Sequence, residues 1–197
     1  MEVRPIFEIN KNINQLEYYW YQEGFNVEEL DWVHNLKELY EYEIASIVGP
    51  TDPSMLKEIR QSRIKWLTYD EKSIWLYDKI KNFAVDANNS VWNFDLTSIL
   101  DSIQYTEYPE GGGHYDWHVD IGPGISHRKI SIVVQLSDPI EYEGGELQIW
   151  SGGQFRTVPK VKGCVILFPS FLLHRVTPVT KGIRKSLVLW VGGGSYR

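Results

Sequence analysis

The chain has 197 residues, 43% of them hydrophobic and 23% charged, with a formal net charge of −6. That balance excludes a disordered or collagen-like chain, and the negative charge argues against general nucleic-acid affinity. One cysteine, Cys164, excludes a disulfide framework and a Cys-based zinc site, and the longest apolar run, over 164–173, is broken by Pro169 and Ser170, well short of the ~20 residues of a membrane span.

Along the chain, Asn12 is placed to cap a helix holding Ile13, Leu16, Tyr19 and Trp20. Asn26 followed by Glu29 has capping-box spacing ahead of Leu30, Val33 and Leu36. Strand patterns follow over 43–48 and 59–67, the second with imperfect alternation. Asp70 is placed to cap a helix to about residue 88, with Ile74, Trp75, Tyr77, Ile80 and Phe83 on its apolar side. Near residue 100 the character changes. Short strands are predicted over 102–108, 114–120, 129–136, 146–150, 154–158, 163–168, 174–179 and 184–191, separated by turns such as Gly111-Gly112-Gly113 and Gly122-Pro123-Gly124. Strands at this spacing predict a closed antiparallel sandwich or jelly roll. The division predicts a support region over 1–99 and a core over 100–197, one structural domain overall. From residue 151 onward there are eight Lys or Arg and no Asp or Glu, which suits either solubility or a seat for a small anion. Cys164 lies in a strand pattern and is expected to be buried and inert. The opening MEVRPIFEIN has no basic-then-apolar signal pattern, so the expectation is a soluble cytoplasmic protein with no membrane partner. The sequence sets no oligomeric state.

The sharpest chemical signal is His118-Val119-Asp120. Residues two apart in a strand project to one face, and an imidazole beside a carboxylate is half of an open metal site. His174, at the start of another predicted strand, is the candidate third ligand. Two His and one carboxylate on one side of a metal are the pattern of non-haem iron(II) oxygenases. Spacing leaves rivals open, because His114, Asp116, His118 and Asp120 share one parity. Arg184 follows ten positions after His174, with Ser186 two beyond it on the same face. A guanidinium next to a hydroxyl seats a carboxylate well.

These segments resemble a known family. Residues 108–120, from Tyr108-Pro109-Glu110 to His118-Val119-Asp120, look like the opening motif of the iron(II)- and 2-oxoglutarate-dependent dioxygenases of the prolyl 4-hydroxylase type, in their bacterial and phage PKHD-like branch. Glu143-Gly144-Gly145-Glu146-Leu147 is similar to the turn that follows that motif. Residues 168–190, with Phe168-Pro169-Ser170, His174, Arg184, Ser186 and Trp190, resemble its distal signature. Arg60-x-Ser62 with Ile64, Trp66 and Leu67 is a looser likeness. The resemblance implies a mainly β, α+β architecture: a double-stranded β-helix, or jelly roll, with N-terminal packing helices. It implies His118, Asp120 and His174 as iron(II) ligands and Arg184 on the far carboxylate of 2-oxoglutarate. Tyr108 and Ser186 are implied as co-substrate contacts, Tyr115 and Trp190 as substrate-pocket residues. Gln135 stands where oxygen-sensing relatives place a co-substrate tyrosine. Collagen-type animal enzymes carry Lys where Arg184 stands. Nucleic-acid dealkylases carry a second Arg where this chain has Trp190, and halogenating relatives lack the carboxylate that Asp120 provides.

The implied reaction is hydroxylation of a C–H bond with O2 as co-substrate, succinate and CO2 as co-products and ascorbate as reductant. The expected substrate is a prolyl residue in a peptide or protein, with a free amino acid or other small molecule as the alternative. The rivals are a non-catalytic jelly-roll binding module and a zinc hydrolase using Asp116 as base. The segment 121–128 is expected to border the substrate as a lid or as an ordinary hairpin loop.

Overall fold

The structure is a computed structural model, and it describes residues 16–45 and 57–194. Two antiparallel sheets face each other, as the strand pattern predicts. The larger contains β1 (Tyr19–Tyr21), β2 (Glu43–Ile44), β4 (Arg63–Leu67), β5 (Leu96–Ser98), β6 (Ile103–Tyr108), β8 (Arg128–Gln135), β12 (Val165–Pro169) and β14 (Arg184–Gly193). Its strand order is β1-β12-β8-β14-β6-β4-β2, with β5 also on β14. The smaller contains β3 (Arg60–Gln61), β7 (Gly113–His118), β9 (Tyr142–Gly144), β10 (Leu147–Ser151), β11 (Gln154–Thr157) and β13 (His174–Gly182), in the order β11-β10-β13-β7-β3 with β9 on β13.

The central strands of the larger sheet, β6, β8, β12 and β14, are buried on both faces, which accounts for the near-continuous apolar runs of β8, β12 and β14. On β14, Leu187, Leu189 and Val191 join Ile130, Ile132 and Val134 of β8 in a core under α1 (Val27–Leu36) and α2 (Ile74–Ala87). The opposite face carries Tyr108, Val133, Ile166 and Phe168, which pack with Leu147, Ile149 and Val176 of the smaller sheet. The period of two thus sorts each strand into one helix-facing and one barrel-facing set. Cys164 is fully buried in the second core, and burial pushes its thiol up to about 11.

Several predicted elements change in the structure. The Asn26 capping box forms as expected, with reciprocal bonds of 2.9 Å to Glu29. Tyr19 and Trp20 belong to a strand, not a helix, because β1 extends the larger sheet along β12, with Tyr19 opposite Leu167. Aromatic residues suit such a pleated, half-buried edge. Asn12 and Ile13 lie outside the described residues. The strand predicted over 43–48 is Glu43–Ile44 within them, and 46–48 lie outside. The stretch 59–67 divides between the two sheets, β3 pairing with β7 and β4 with β6, hence its broken alternation. Asp70 caps a turn instead of a helix: its carboxylate accepts from the Lys72 and Ser73 amides, and α2 begins one residue after Ser73.

Strands β1, β2, β3, β4 and β5, all before residue 100, are built into the two sheets. The helices cover one face only. The cavity between the sheets is left to the barrel-facing residues of β14, β8, β6, β7 and β13.

Candidate active site

That cavity has a volume of about 430 Å³. His118, Asp120 and His174 meet on its wall, with one ligand atom from each within 4.8 Å of the others. His118 ends β7 and His174 begins β13, directly opposite in the pairing. Asp120 follows β7, and its amide donates to the Ser170 carbonyl at 2.9 Å. Its Oδ1 lies 3.7 Å from His118 Nε2 and its Oδ2 lies 3.4 Å from His174 Nε2.

A β-bulge selects this pair from its rivals on the same strand. His174 pairs with His118, but Val176 pairs with Tyr115, so between these pairs one residue of β13, Arg175, opposes two of β7, Asp116 and Trp117. One extra residue inverts the side-chain alternation. Before the bulge Tyr115 faces the cavity and His114 and Asp116 turn away. After it His118 faces inward. His114 is held by the Gly112 and Glu58 carbonyls at 2.7 and 2.8 Å. Asp116 accepts from the Trp117 amide at 2.8 Å and is exposed.

Both imidazoles are oriented by their far nitrogens. His118 Nδ1 lies 2.7 Å from the Asp116 carbonyl and His174 Nδ1 2.8 Å from that of Leu172. A carbonyl only accepts, so Nδ1 carries the proton and each Nε2 presents a lone pair to the cluster. Burial, then the neighbouring His174, pushes His118 down to about 3, which keeps it neutral. Burial alone would raise the Asp120 carboxyl. The His174 and His118 rings and the Ser131 hydroxyl, which donates to Oδ2 at 2.6 Å, outweigh it and hold the carboxyl below its ordinary range. The buried Trp190 indole N–H closes no hydrogen bond, yet lies near enough to favour the charged Asp120. Two imidazole Nε2 atoms and one carboxylate therefore face one another, a donor set that fits a divalent cation.

A second group lies deeper. Arg184 is 1% exposed. Its NH2 donates to Gln135 Oε1 at 3.0 Å and NH1 to Ser186 Oγ at 3.4 Å, and its guanidinium carbon sits 5.2 Å from the Tyr108 ring centre. Cross-strand register brings these together, with Arg184 opposite Tyr108 and Ser186 opposite Gln135. No carboxylate pairs with Arg184 among the described residues, and its buried Nε has no partner. A buried guanidinium surrounded by neutral acceptors calls for an anion.

The structure thus gathers His118, Asp120, His174, Arg184, Ser186, Tyr108, Tyr115 and Trp190 around one cavity, with Gln135 outside its lining and bonded to Arg184. Sequence reasoning missed Tyr142, which faces the Arg184 guanidinium; that cation opposes the rise that burial gives its phenol. It also missed Ser131, the donor to Asp120. Neither stands in a motif, and only the register of β8 against β14 and the course of β9 would have found them. Ile121, Gly122, Pro123 and Ile125 line the cavity mouth, so the segment after the bulge borders the site.

Residues 103–192 match the family model of the 2OG-Fe(II) oxygenase superfamily. A PKHD-type hydroxylase of Parvibaculum lavamentivorans is 42% identical over 88 residues, covering 41% of this chain and 39% of that protein. One from Aliarcobacter butzleri is 36% identical over 129 residues, covering 62% and 56%. The chain therefore spans less than two thirds of the length of these curated relatives. Among solved structures, a prolyl-4-hydroxylase of Pseudomonas putida superposes with a TM-score of 0.68 at 20% identity over 91% of this chain and 94% of the other. A prolyl hydroxylase of Trichoplax adhaerens, in complex with a hypoxia inducible factor oxygen degradation domain peptide fragment, gives 0.75 at 20% identity over 91% and 85%. At that identity the likeness is one of fold, the jelly roll.

Proposed function

We propose that the chain is an iron(II)- and 2-oxoglutarate-dependent dioxygenase that hydroxylates a substrate C–H bond, a member of the 2OG-Fe(II) oxygenase superfamily whose model its residues 103–192 match. The observation that carries this reading is one cavity holding both a two-His, one-carboxylate cluster and a buried guanidinium without a carboxylate partner. His118, Asp120 and His174 would hold the iron, leaving its other side open. Arg184, with Ser186, Gln135, Tyr108 and Tyr142, would receive the far carboxylate of 2-oxoglutarate. Bound there, iron and co-substrate supply the oxidising chemistry, with O2 consumed, succinate and CO2 released and ascorbate as reductant.

The chain's own residues do the rest. The Asp116 and Leu172 carbonyls fix the imidazole tautomers. Ser131 keeps Asp120 ionised and oriented. Val133, Val176, Phe168 and Val188 make the floor apolar, which limits water around the reacting group. Tyr115, stacked on His118 at 3.5 Å between ring centres, and Trp190 wall the space left for substrate. A prolyl residue in a peptide or protein is the proposed substrate, supported by the PKHD-type relatives and the peptide-bound Trichoplax neighbour. Asp116, the candidate base of a zinc hydrolase, does not line the cavity, which weighs against hydrolysis.

The test is succinate formation from 2-oxoglutarate under air with iron(II). Wild-type protein is expected to form it, faster when a substrate is present, and His118→Ala and Arg184→Ala each to abolish it. Turnover that survives both substitutions contradicts the assignment.

A further inference from the structure

We infer that Arg60 is an anchor for a negatively charged group, a carboxylate, on the substrate, so that the preferred substrate is acidic near the hydroxylated carbon. This rests on the oxygenase reading above and narrows its substrate class.

Arg60 lies on β3 opposite Tyr115 of β7, so both side chains share the cavity-facing side. Its guanidinium carbon stacks over the Tyr115 ring at 4.6 Å, and Tyr115 stacks in turn on His118. One ring, that of Tyr115, thus separates Arg60 from the metal cluster. Its Nε donates to Ser62 Oγ and its NH2 to Gln104 Oε1, both at 2.8 Å. These neutral partners fix the planar fork and leave NH1 and the second NH2 hydrogen without an acceptor among the described residues. No carboxylate pairs with Arg60 among the described residues. A fixed, half-buried guanidinium with free donors suits bidentate capture of a carboxylate.

Charge balance points the same way. Among the described residues, Asp120 is the only acidic one lining the cavity. Arg128, the third lining arginine, is neutralised by Asp101 at 2.8 and 2.9 Å. Iron(II), Asp120, doubly negative 2-oxoglutarate and Arg184 together cancel. Arg60 then remains as one uncompensated positive charge in the loaded cavity, which a single carboxylate on the substrate offsets. An acidic side chain beside a prolyl residue and the carboxylate of a free amino acid share this chemistry.

The experiment uses matched pairs with protein loaded with iron(II) and 2-oxoglutarate. L-proline is set against L-prolinamide, and capped prolyl tripeptides flanked by Asp or Glu against those flanked by Asn or Gln. Two quantities are read: stimulation of succinate release under air, and the ligand-induced rise in melting temperature without oxygen. The acidic member of at least one pair is expected to act and its amide to be weaker by on the order of 30-fold in half-saturating concentration. Which pair responds separates the peptide from the free amino acid. Arg60→Met should erase the acid preference, and Arg60→Lys, which keeps the charge but not the fork, should retain part of it. The anaerobic iron(II)–2-oxoglutarate absorption band of each variant reports that the protein is folded and loaded. Acid and amide behaving alike, both active or both silent, overturns the inference, as does an acid preference that survives in a loaded Arg60→Met protein. Absence of the band in wild type removes the oxygenase reading first and this inference with it.

Discussion

At the scale of single residues, the site depends on groups made useful by what holds them. His118 and His174 offer Nε2 because backbone carbonyls claim Nδ1. The Asp120 carboxyl is held below its ordinary range although only 8% exposed, by the His174 and His118 rings and then by the Ser131 hydroxyl that donates to it. Ser131→Ala should therefore weaken iron binding by on the order of 10- to 100-fold, the usual effect of removing an outer-shell partner, measured by competition with a chelator; an unchanged affinity would remove Ser131 from the account. Arg184 is costlier to lose. Removing one partner of a buried ion pair costs about 3–5 kcal/mol, so Arg184→Met should raise the half-saturating 2-oxoglutarate concentration by roughly 10²-fold or more, read from the absorption band against co-substrate. The identities of these groups were legible in sequence from their motifs. Tyr142 and Ser131 were not, since a lone tyrosine and a lone serine acquire meaning only from the strands beside them.

At the scale of elements, the bulge in β7 decides which His and which Asp face inward. Residue spacing along a strand carries no mark of it, because the extra residue shows only against the partner strand. That is why His114 and Asp116 stood level with His118 and Asp120 until the family motif or the fold separated them. The same limit applies to β1: the Tyr19–Tyr21 segment fits helix or edge strand until β12 is beside it. The turn of Glu143-Gly144-Gly145 is readable and strictly required. Gly144 has φ +75°, and a Cβ there would lie 2.1 Å from the Pro178 carbonyl oxygen. Gly144→Ala should lose about 3 kcal/mol or more of stability, seen as a lower urea midpoint with an unchanged slope. Strand β6 carries a pH-dependent tie. Glu107 accepts from Arg63 at 2.6 Å, Tyr105 at 2.7 Å and Tyr42 at 2.8 Å. Burial works against its charge, but these donors outweigh burial and lower its pKa. A lowered folded pKa adds stability that is present above the unfolded value of ~4.3 and fades as pH falls through the folded one. Glu107→Gln should destabilise the protein by about 1–3 kcal/mol at pH 7, with the gap to wild type closing below pH ~4 in parallel urea titrations; a gap that does not change with pH contradicts this.

At the scale of the whole molecule, the two-sheet sandwich was legible because Gly and Pro turns punctuate the strands after residue 100. The helices were legible from the apolar stripes on α1 and α2. What composition concealed was the contribution of the N-terminal half to the sheets. Strands of two to five residues, such as β2, β3 and β4, carry too few alternations to announce a face. They matter for function nonetheless, because β3 carries Arg60 to the cavity and β4 carries Trp66 to its lining. The distribution of charge has a corresponding structural meaning: the acid-free C-terminal stretch contributes β14, which sets Arg184 among neutral partners.

The most direct test is anaerobic titration of the purified protein with iron(II) and 2-oxoglutarate, followed by visible absorption. A weak charge-transfer band that saturates at one iron per chain, requires both components and is lost in His118→Ala, Asp120→Ala and His174→Ala is the predicted result. No band in wild-type protein, or one that persists when any of those three side chains is removed, would contradict the metal centre at the root of the account.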